Sequence, residues 1–529
     1  MTGSVGKVGA AIMVSRVLGL ARDLVFAFCF GAGSLMDCFQ TAFRIPNMLR
    51  DLFAEGALST AFVTVFVRRR AREGDASARL LARLVVTFQV LLLAGVVVMG
   101  ILFAPRMVRI IAPGFSDSKL ELTATLTRIL FPFILFLGMA ALAMGVLNSH
   151  GRFGLPASAS SFFNLGSIVV GLGLALIYDP QFGPTAIVCM AIGALTGGFL
   201  QWFIQVPALR ALGYRFQPAW DLHDSGLREI GRLMAPTLVG LSAVQINVMI
   251  NTIFASHMGD GAVSWLAYAF RIIQLPIGLF GVAISMVALP SLAVEAMNAD
   301  KEPFRMRVER ALRLNAALCI PAACGLAILS RPLVSALFER GRFDAEDTAT
   351  TAGILCAYAL GLVGYASVKV LVAAFYALNR TTVPMVVSLA SIAATVLLNW
   401  FFVYKLRYGA AGLALATSLS ALGSAGILWS VLTGLVGGFS RQGWDALGRI
   451  LLAAAIMSLA VVFILWIHTK LDVNAGLGGN LSRVFFGGGA GVLIYGFAAR
   501  ILKLEEALAM ENVLRSKLGL ARNCGSGEK

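Results

Sequence analysis

The 21 residues from Leu84 to Ala104 contain no charged side chain, and neither do the 18 from Ile450 to Ile467. A run of about 20 apolar residues crosses the hydrocarbon of a bilayer as one helix, because in lipid every backbone N–H and C=O must be bonded within its own segment. Such runs recur along the whole chain. Fourteen are placed, at 5–30, 35–66, 80–104, 122–147, 155–178, 184–207, 229–257, 262–296, 308–330, 348–376, 383–404, 409–436, 446–468 and 482–500. The fold class is therefore an all-α polytopic membrane protein. Composition agrees: 58% of residues are hydrophobic, 13% are charged and the mean hydropathy is +0.84, against roughly 25% charged in a soluble domain. A soluble multidomain enzyme, a disordered scaffold and a disulfide framework are excluded.

Net charge is +16, which in a soluble protein would suggest nucleic acid. Here the basic residues sit mostly in short gaps between apolar runs, where they fix orientation and meet anionic head groups, so no nucleic-acid partner is expected. With the N-terminus inside, the inner gaps collect 26 Lys and Arg residues, including Arg68, Arg69, Arg70 and Arg72, against 10 in the outer gaps. This bias predicts both termini in the cytoplasm, in keeping with an even helix count. No short apolar segment with a cleavage site follows Lys7, so the first helix is expected to be retained. The seven cysteines show no CxxC spacing and read as buried or free thiols without a metal or disulfide role.

Three weak internal matches share nearly one offset. Phe43-Arg44-Ile45 recurs as Phe270-Arg271-Ile272, 227 positions on (43 to 270); the loop phenylalanines Phe115 and Phe343 lie 228 apart (115 to 343); and the turns at Asn148 and Asn379 lie 231 apart (148 to 379). An offset spanning six helices gives two halves of equal topology, as in many transporters. The expected domains are a lobe of helices 1–6 over 1–210, a lobe of helices 7–12 over 211–440, helices 13 and 14 over 441–504, and a cytoplasmic tail over 505–529.

Charges inside apolar runs cost about 3 kcal/mol or more at the bilayer centre, so each marks a functional candidate. Helix 1 carries Arg16, Arg22 and Asp23; helix 2 carries Asp37, Arg44, Arg50, Asp51 and Glu55; helix 8 carries Arg271; Arg128 and Lys369 are further cases. Arg16 and Arg22 are six apart, about 120° off one face, and Arg44 and Arg50 repeat the spacing. The helices should line a wide polar space or be locally broken. Pro46, followed by Asn47, predicts a break in helix 2, since proline frees a carbonyl one turn back. Guanidiniums converging on a wet cavity suit a polyanion, and their bidentate geometry fits a diphosphate. Against this, Asp23 and Asp51 can simply neutralise neighbouring arginines, Arg22 can snorkel to an interface, and the Arg68–Arg72 cluster reads first as a topology signal.

Catalytic constellations are absent from the sequence. The four histidines are scattered, and no HExxH, Walker loop or GxSxG elbow appears. Gly487-Gly488-Gly489 lies in an apolar run where close helix packing explains it. A non-enzymatic transporter without a cofactor is expected, driven by a coupling cation, the membrane potential or the substrate's own gradient.

At SRVLGLARD and at MDCFQTAFRIPNMLRDLFAEGALSTAFV the chain resembles the MurJ (MviN) family, the bacterial flippases of the peptidoglycan precursor lipid II. The likeness continues through APGF at Ala112 to Phe115, LNSHGRF from Leu147, NTIFAS from Asn251, SWLAYAFR from Ser264 and VALPSLA from Val287. This family belongs to the multidrug/oligosaccharidyl-lipid/polysaccharide exporter superfamily. The resemblance implies two six-helix lobes around a central cavity and two extra helices forming a groove for the lipid tail, which agrees with the repeat. It implies that Arg16, Arg22, Asp37, Asn47, Arg50, Ser264 and Arg271 occupy cationic-cavity positions and that Glu55 lies in an FAEGA motif. Of these, Arg16, Arg22, Asn47, Arg50, Ser264 and Arg271 would bind substrate, while Asp37, Glu55, Arg44, Asp23 and Gln274 would be gating or structural. One departure is noted: many relatives carry an acidic residue three positions after the helix 8 arginine, and often one before it, where this chain has Gln274 and Phe270.

The function implied is translocation of undecaprenyl-diphosphate-linked lipid II from the cytoplasmic to the outer leaflet of the inner membrane by alternating access. Its partners would be the substrate, membrane lipids and contacts with peptidoglycan-synthesis enzymes, and the protein would act as a monomer. Three rivals are weighed. A flippase of another polyprenyl-linked oligosaccharide would need a similar cavity. A drug antiporter would be poor in arginine and built on carboxylates. An enzyme using a polyprenyl-phosphate sugar donor, with Asp37 or Glu55 as base, would need a metal-binding carboxylate pair or a large extramembrane domain.

Overall fold

The computed structural model describes residues 2–50, 57–470 and 476–506, and among them every regular element is helical. The order is α1 (Thr2–Phe30), α2 (Ser34–Arg50), α3 (Ala57–Ile111), α4 (Asp117–Leu130), α5 (Phe133–Ser149), α6 (Gly154–Tyr178), α7 (Pro184–Phe203), α8 (Val206–Ala211) and α9 (Ser225–Ser256). Then come α10 (Ala262–Pro276), a π-helical turn (Ile277–Val282), α11 (Ala283–Ala296), α12 (Glu302–Ile328), α13 (Ser330–Phe338), α14 (Ala345–Leu360) and α15 (Leu362–Ala377). The chain closes with α16 (Thr382–Trp400), a second π turn (Phe401–Lys405), α17 (Gly409–Val436), α18 (Arg441–Lys470) and α19 (Leu477–Ile501). Among the described residues ten helical segments are long and apolar enough to cross a membrane, or eleven if α14 and α15, bent by 40° at Gly361, form one span. The protein is a multi-pass membrane protein.

Element boundaries carry the internal repeat. The starts of α4, α5 and α6 at Asp117, Phe133 and Gly154 recur at Ala345, Leu362 and Thr382, close to the offset of the sequence strings. The gap predicted around 67–79 contains the break between two helical arms of α3, which meet at Gly74, where φ 86° and ψ 177° are open to glycine. Glu73 joins the two arms at this bend: Arg69 Nε, one turn before it, donates to Glu73 Oε2 at 3.1 Å, and Ser77 Oγ, beyond Gly74, donates to the same oxygen at 2.5 Å. One expectation is corrected: Pro46 does not break α2, which is helical through Arg50. The buried Pro46 and Ile45 are packed in place, so one lost backbone bond does not open the helix.

The chain divides into two compact units, residues 1–264 with 340–344 and residues 265–339 with 345–529. In the first unit, α6 and α7 meet through small residues, as expected where lipid gives helices no hydrophobic drive to associate and backbone proximity supplies the contact. A Cβ at Gly193 would fall 2.9 Å from the Ser167 carbonyl oxygen and closer still to the backbone of Gly171. Gly193→Leu is therefore expected to lower the unfolding midpoint of the purified protein by several degrees, the consequence of overpacking by about 1–3 kcal/mol or more. Gly173→Leu, where a Cβ meets nothing within 4 Å, is expected to leave it in place. Equal midpoints for the two variants would refute this account of the α6–α7 contact.

In the second unit, α11, α12, α15 and α17 share a core containing Leu292, Phe304, Leu371, Phe375 and Leu428. A separate small core of α12, α18 and α19 holds Ile450, Ala453 and Ala499, and Tyr495 Oη donates to the Ala317 carbonyl at 2.7 Å. Glu309, buried on α12, accepts from Ser440 N at 2.9 Å and Ser440 Oγ at 2.7 Å, so a carboxylate seats the chain entering α18.

Candidate functional site

The first unit brings α1, α2, α6 and α9 together around the charged residues. α1 is fixed to α6 by Ser15 Oγ against Ser160 Oγ at 2.8 Å, and by Asn164 Nδ2 donating to the Ser15 carbonyl at 3.2 Å. Arg16, next to that anchor, projects an exposed side chain. Six residues on, the Arg22 guanidinium lies over the Phe163 ring, 5.2 Å from its centroid, and its Nη2 donates to Asp23 Oδ1 at 2.9 Å. Both side chains are mostly buried. Arg22 is thus held between a π face and a carboxylate, and Asp23 offsets part of its charge.

A run of aromatic rings places α2 beside it. Phe26 meets Phe39 at 4.8 Å, Phe43 meets Phe133 at 5.4 Å, and Phe133 meets Phe163 at 5.4 Å. Arg44 donates from Nη1 to the hydroxyl of Thr252, a buried residue of α9. Asn47 and Arg50 follow on the last turn of α2, both half-buried. Asp51 and Glu55 lie outside the described residues.

Asp37 sits at the opposite end of α2 and is fully buried. Its Oδ1 accepts from Ser264 N at 2.9 Å and Ser264 Oγ at 2.7 Å; its Oδ2 accepts from Gly261 N at 2.7 Å and Lys119 Nζ at 3.3 Å. The carboxylate thus satisfies N–H groups where the chain enters α10, the place where an anion is most stabilised. Lys119 completes the arrangement, bonding Asp260 Oδ1 at 2.8 Å and lying 4.2 Å from the Phe115 ring centroid. Ser264 is itself fully buried, its hydroxyl committed to Asp37. The APGF turn packs on the end of α9, where Gly114 N donates to Ser256 Oγ at 3.1 Å.

At the other end of α9, Asp224 accepts from Gly226 N at 2.9 Å and Leu227 N at 3.0 Å and binds Arg69 Nη1 through both oxygens at 2.8 Å. Burial pushes the Asp224 carboxyl upward, but the Arg69 guanidinium and the two backbone donors outweigh it and hold the group below the usual carboxylate range. The arginine cluster, read first as a topology signal, is also a packing device: Arg68 pairs with Glu229, and Arg70 donates to the Ser149 carbonyl at 3.0 Å.

In the second unit, Arg271 and Gln274 occupy one exposed face of α10, three residues apart, while Ile272 and Ile273 between them are buried. Phe270 packs on Tyr358 at 5.5 Å. Lys369 of α15 is exposed. Structurally central residues that the sequence reading did not single out are Lys119, Thr252, Gly261, Asp224 and Glu309. Their partners lie up to 224 positions away, so no local pattern marks them. One signal was available for Lys119: the span assignment puts it at the same membrane face as Asp37, a carboxylate with no cation of its own.

These helices define a polytopic membrane protein whose first two helices carry mostly buried and half-buried guanidiniums. The fold is that of the multidrug/oligosaccharidyl-lipid/polysaccharide exporters: a solved inward-facing multidrug-resistance transporter of that superfamily aligns over 82% of this chain and 95% of its own at a TM-score of 0.64, with 16% identity. A narrower likeness is to the solved structure described as lipid II flippase MurJ in an inward closed conformation, with a TM-score of 0.76 and 26% identity over 94% of this chain and 99% of that one. The family model described as lipid II flippase MurJ matches residues 26–476. A relative from Vibrio cholerae named probable lipid II flippase MurJ is 34% identical, covering 86% of this chain and 87% of its own. One from Burkholderia cenocepacia named lipid II flippase MurJ is 35% identical over 77% and 79%. The chain belongs to the MurJ family.

Proposed function

We propose that this protein is a lipid II flippase of the bacterial inner membrane, carrying the undecaprenyl-diphosphate-linked precursor from the cytoplasmic to the outer leaflet by alternating access. The observation that carries the reading is family membership across residues 26–476 in a chain whose spanning helices bear guanidiniums at Arg16, Arg22, Arg50 and Arg271. These four and Asn47 hold the diphosphate and the acidic groups of the peptide, while Asp37, Ser264 and Arg44 keep the helices in register. The protein transports and does not catalyse a covalent step. A coupling cation or the membrane potential resets it, both termini face the cytoplasm, and it works as a monomer in contact with membrane lipids and peptidoglycan-synthesis enzymes.

Selectivity separates this reading from the alternative, a flippase of another polyprenyl-linked oligosaccharide. In native mass spectrometry of the purified protein, lipid II is expected to be retained well above a polyprenyl-diphosphate glycan lacking the peptide. A preference for the peptide-free glycan would transfer the protein to the alternative.

A further inference from the structure

The second unit contains a cavity of about 320 Å3 at the end where α12 and α18 finish and α13 and α19 begin. Arg331, Ser335 and Glu339 line one side; Gly476, Asn480 and Arg483 line the other. The arginine side is built: Asn480 Nδ2 donates to the buried Ser335 Oγ at 2.7 Å, and Arg483 Nη1 donates to Asn480 Oδ1 at 3.3 Å. Arg483 Nε is buried with no acceptor among the described residues, which is unfavourable unless a ligand supplies one. The first turn of the 25-residue α19 starts at the cavity, adding the partial positive charge of a long helix's N-terminus. Beyond the cavity, α19 exposes Leu481, Phe485 and Phe486, two of them four residues apart on one face and apolar enough to lie against acyl chains.

Two guanidiniums and a helix start take a phosphate; a carboxylate in the same lining takes a cation and disfavours a ligand that is only anionic. We propose that this cavity holds the head group of an aminophospholipid, its phosphate between Arg331 and Arg483 and its ammonium toward Glu339, with the acyl chains along Leu481 and Phe485. The inference does not depend on which lipid the protein transports. It predicts discrimination by N–H donation: an ethanolamine ammonium donates to Glu339, whereas a choline trimethylammonium has no N–H.

Native mass spectrometry of the full-length protein, titrated with phosphatidylethanolamine, phosphatidylcholine and phosphatidylglycerol of identical acyl chains, tests this. Wild type is expected to retain the ethanolamine lipid about tenfold better than either other lipid, the size of one hydrogen bond to a charged group at about 1.5 kcal/mol. Arg331→Gln combined with Arg483→Gln is expected to abolish that retention. Glu339→Gln is expected to keep phospholipid bound while erasing the preference over choline, a readout that stands even if the double variant folds poorly. Equal retention of all three lipids, preference for phosphatidylglycerol, or a preference unchanged in Glu339→Gln would overturn the proposal. Displacement of the lipid by equimolar inorganic phosphate would also overturn it, by assigning the cavity to a free anion.

Discussion

Asp37→Leu is expected to remove the protein from the membrane fraction. The substitution leaves the N–H groups of Gly261 and Ser264 and the Ser264 hydroxyl without their acceptor, and Lys119 without its buried partner. Breaking a buried pair by deleting one member costs about 3–5 kcal/mol, and unsatisfied buried donors cost about 1–3 kcal/mol each. Together these match the whole stability of a typical domain, about 5–15 kcal/mol. Asp37→Asn retains acceptor capacity at one oxygen and is expected to accumulate at reduced level with a lower unfolding midpoint. Fluorescence-detected size exclusion of the solubilised membranes gives the comparison. A monodisperse Asp37→Leu protein at wild-type level would show that the Asp37 network does not hold this end of the unit.

The second large effect falls on function at unchanged fold. In a strain depleted of its own lipid II flippase, wild type is expected to restore growth, whereas Arg22→Ala, Arg50→Ala and Arg271→Ala lose rescue at matched membrane level. A hydrogen bond to a charged group contributes about 1.5–3 kcal/mol, so each loss weakens head-group capture by roughly 10- to 100-fold. Lysine at the same positions is expected to rescue partially, since it keeps the charge and loses the bidentate fork. Arg128→Ala provides the internal control: this exposed guanidinium donates weakly to the Ile101 carbonyl at 3.4 Å and rescue should persist. Loss of rescue in Arg128→Ala equal to that in the other three would mean that any removed arginine harms the protein, whatever its place.

Much of the architecture was legible because bilayer thickness fixes the length of an apolar run. The span predicted at 409–436 coincides with α17, and the repeat strings fall on matching helices. What the runs could not show is how a helix behaves once its polar groups find partners. Arg69 and Ser77 meet on Glu73 from either side of the break at Gly74, inside the expected gap, and Pro46 is absorbed within α2. The site was half legible. Intramembrane charge marked the arginines and Asp37, because an uncompensated charge in lipid needs a reason. Their partners were hidden: Lys119, Thr252 and Asp224 are ordinary loop and helix residues until the fold brings them to Asp37, Arg44 and Arg69. Ser264 lay on a matching motif, yet only the structure shows its hydroxyl given to Asp37.

Proteoliposomes carrying the purified protein, with labelled lipid II on one leaflet and its appearance on the other followed by an impermeant reagent, test the central claim most directly. Wild type should transfer the label at a rate well above protein-free vesicles, and the Arg22→Ala/Arg50→Ala protein should fall to the protein-free rate with its fold intact. Transfer by wild type no faster than in empty vesicles under every imposed cation gradient and membrane potential, or equal transfer by the arginine variant, would contradict it.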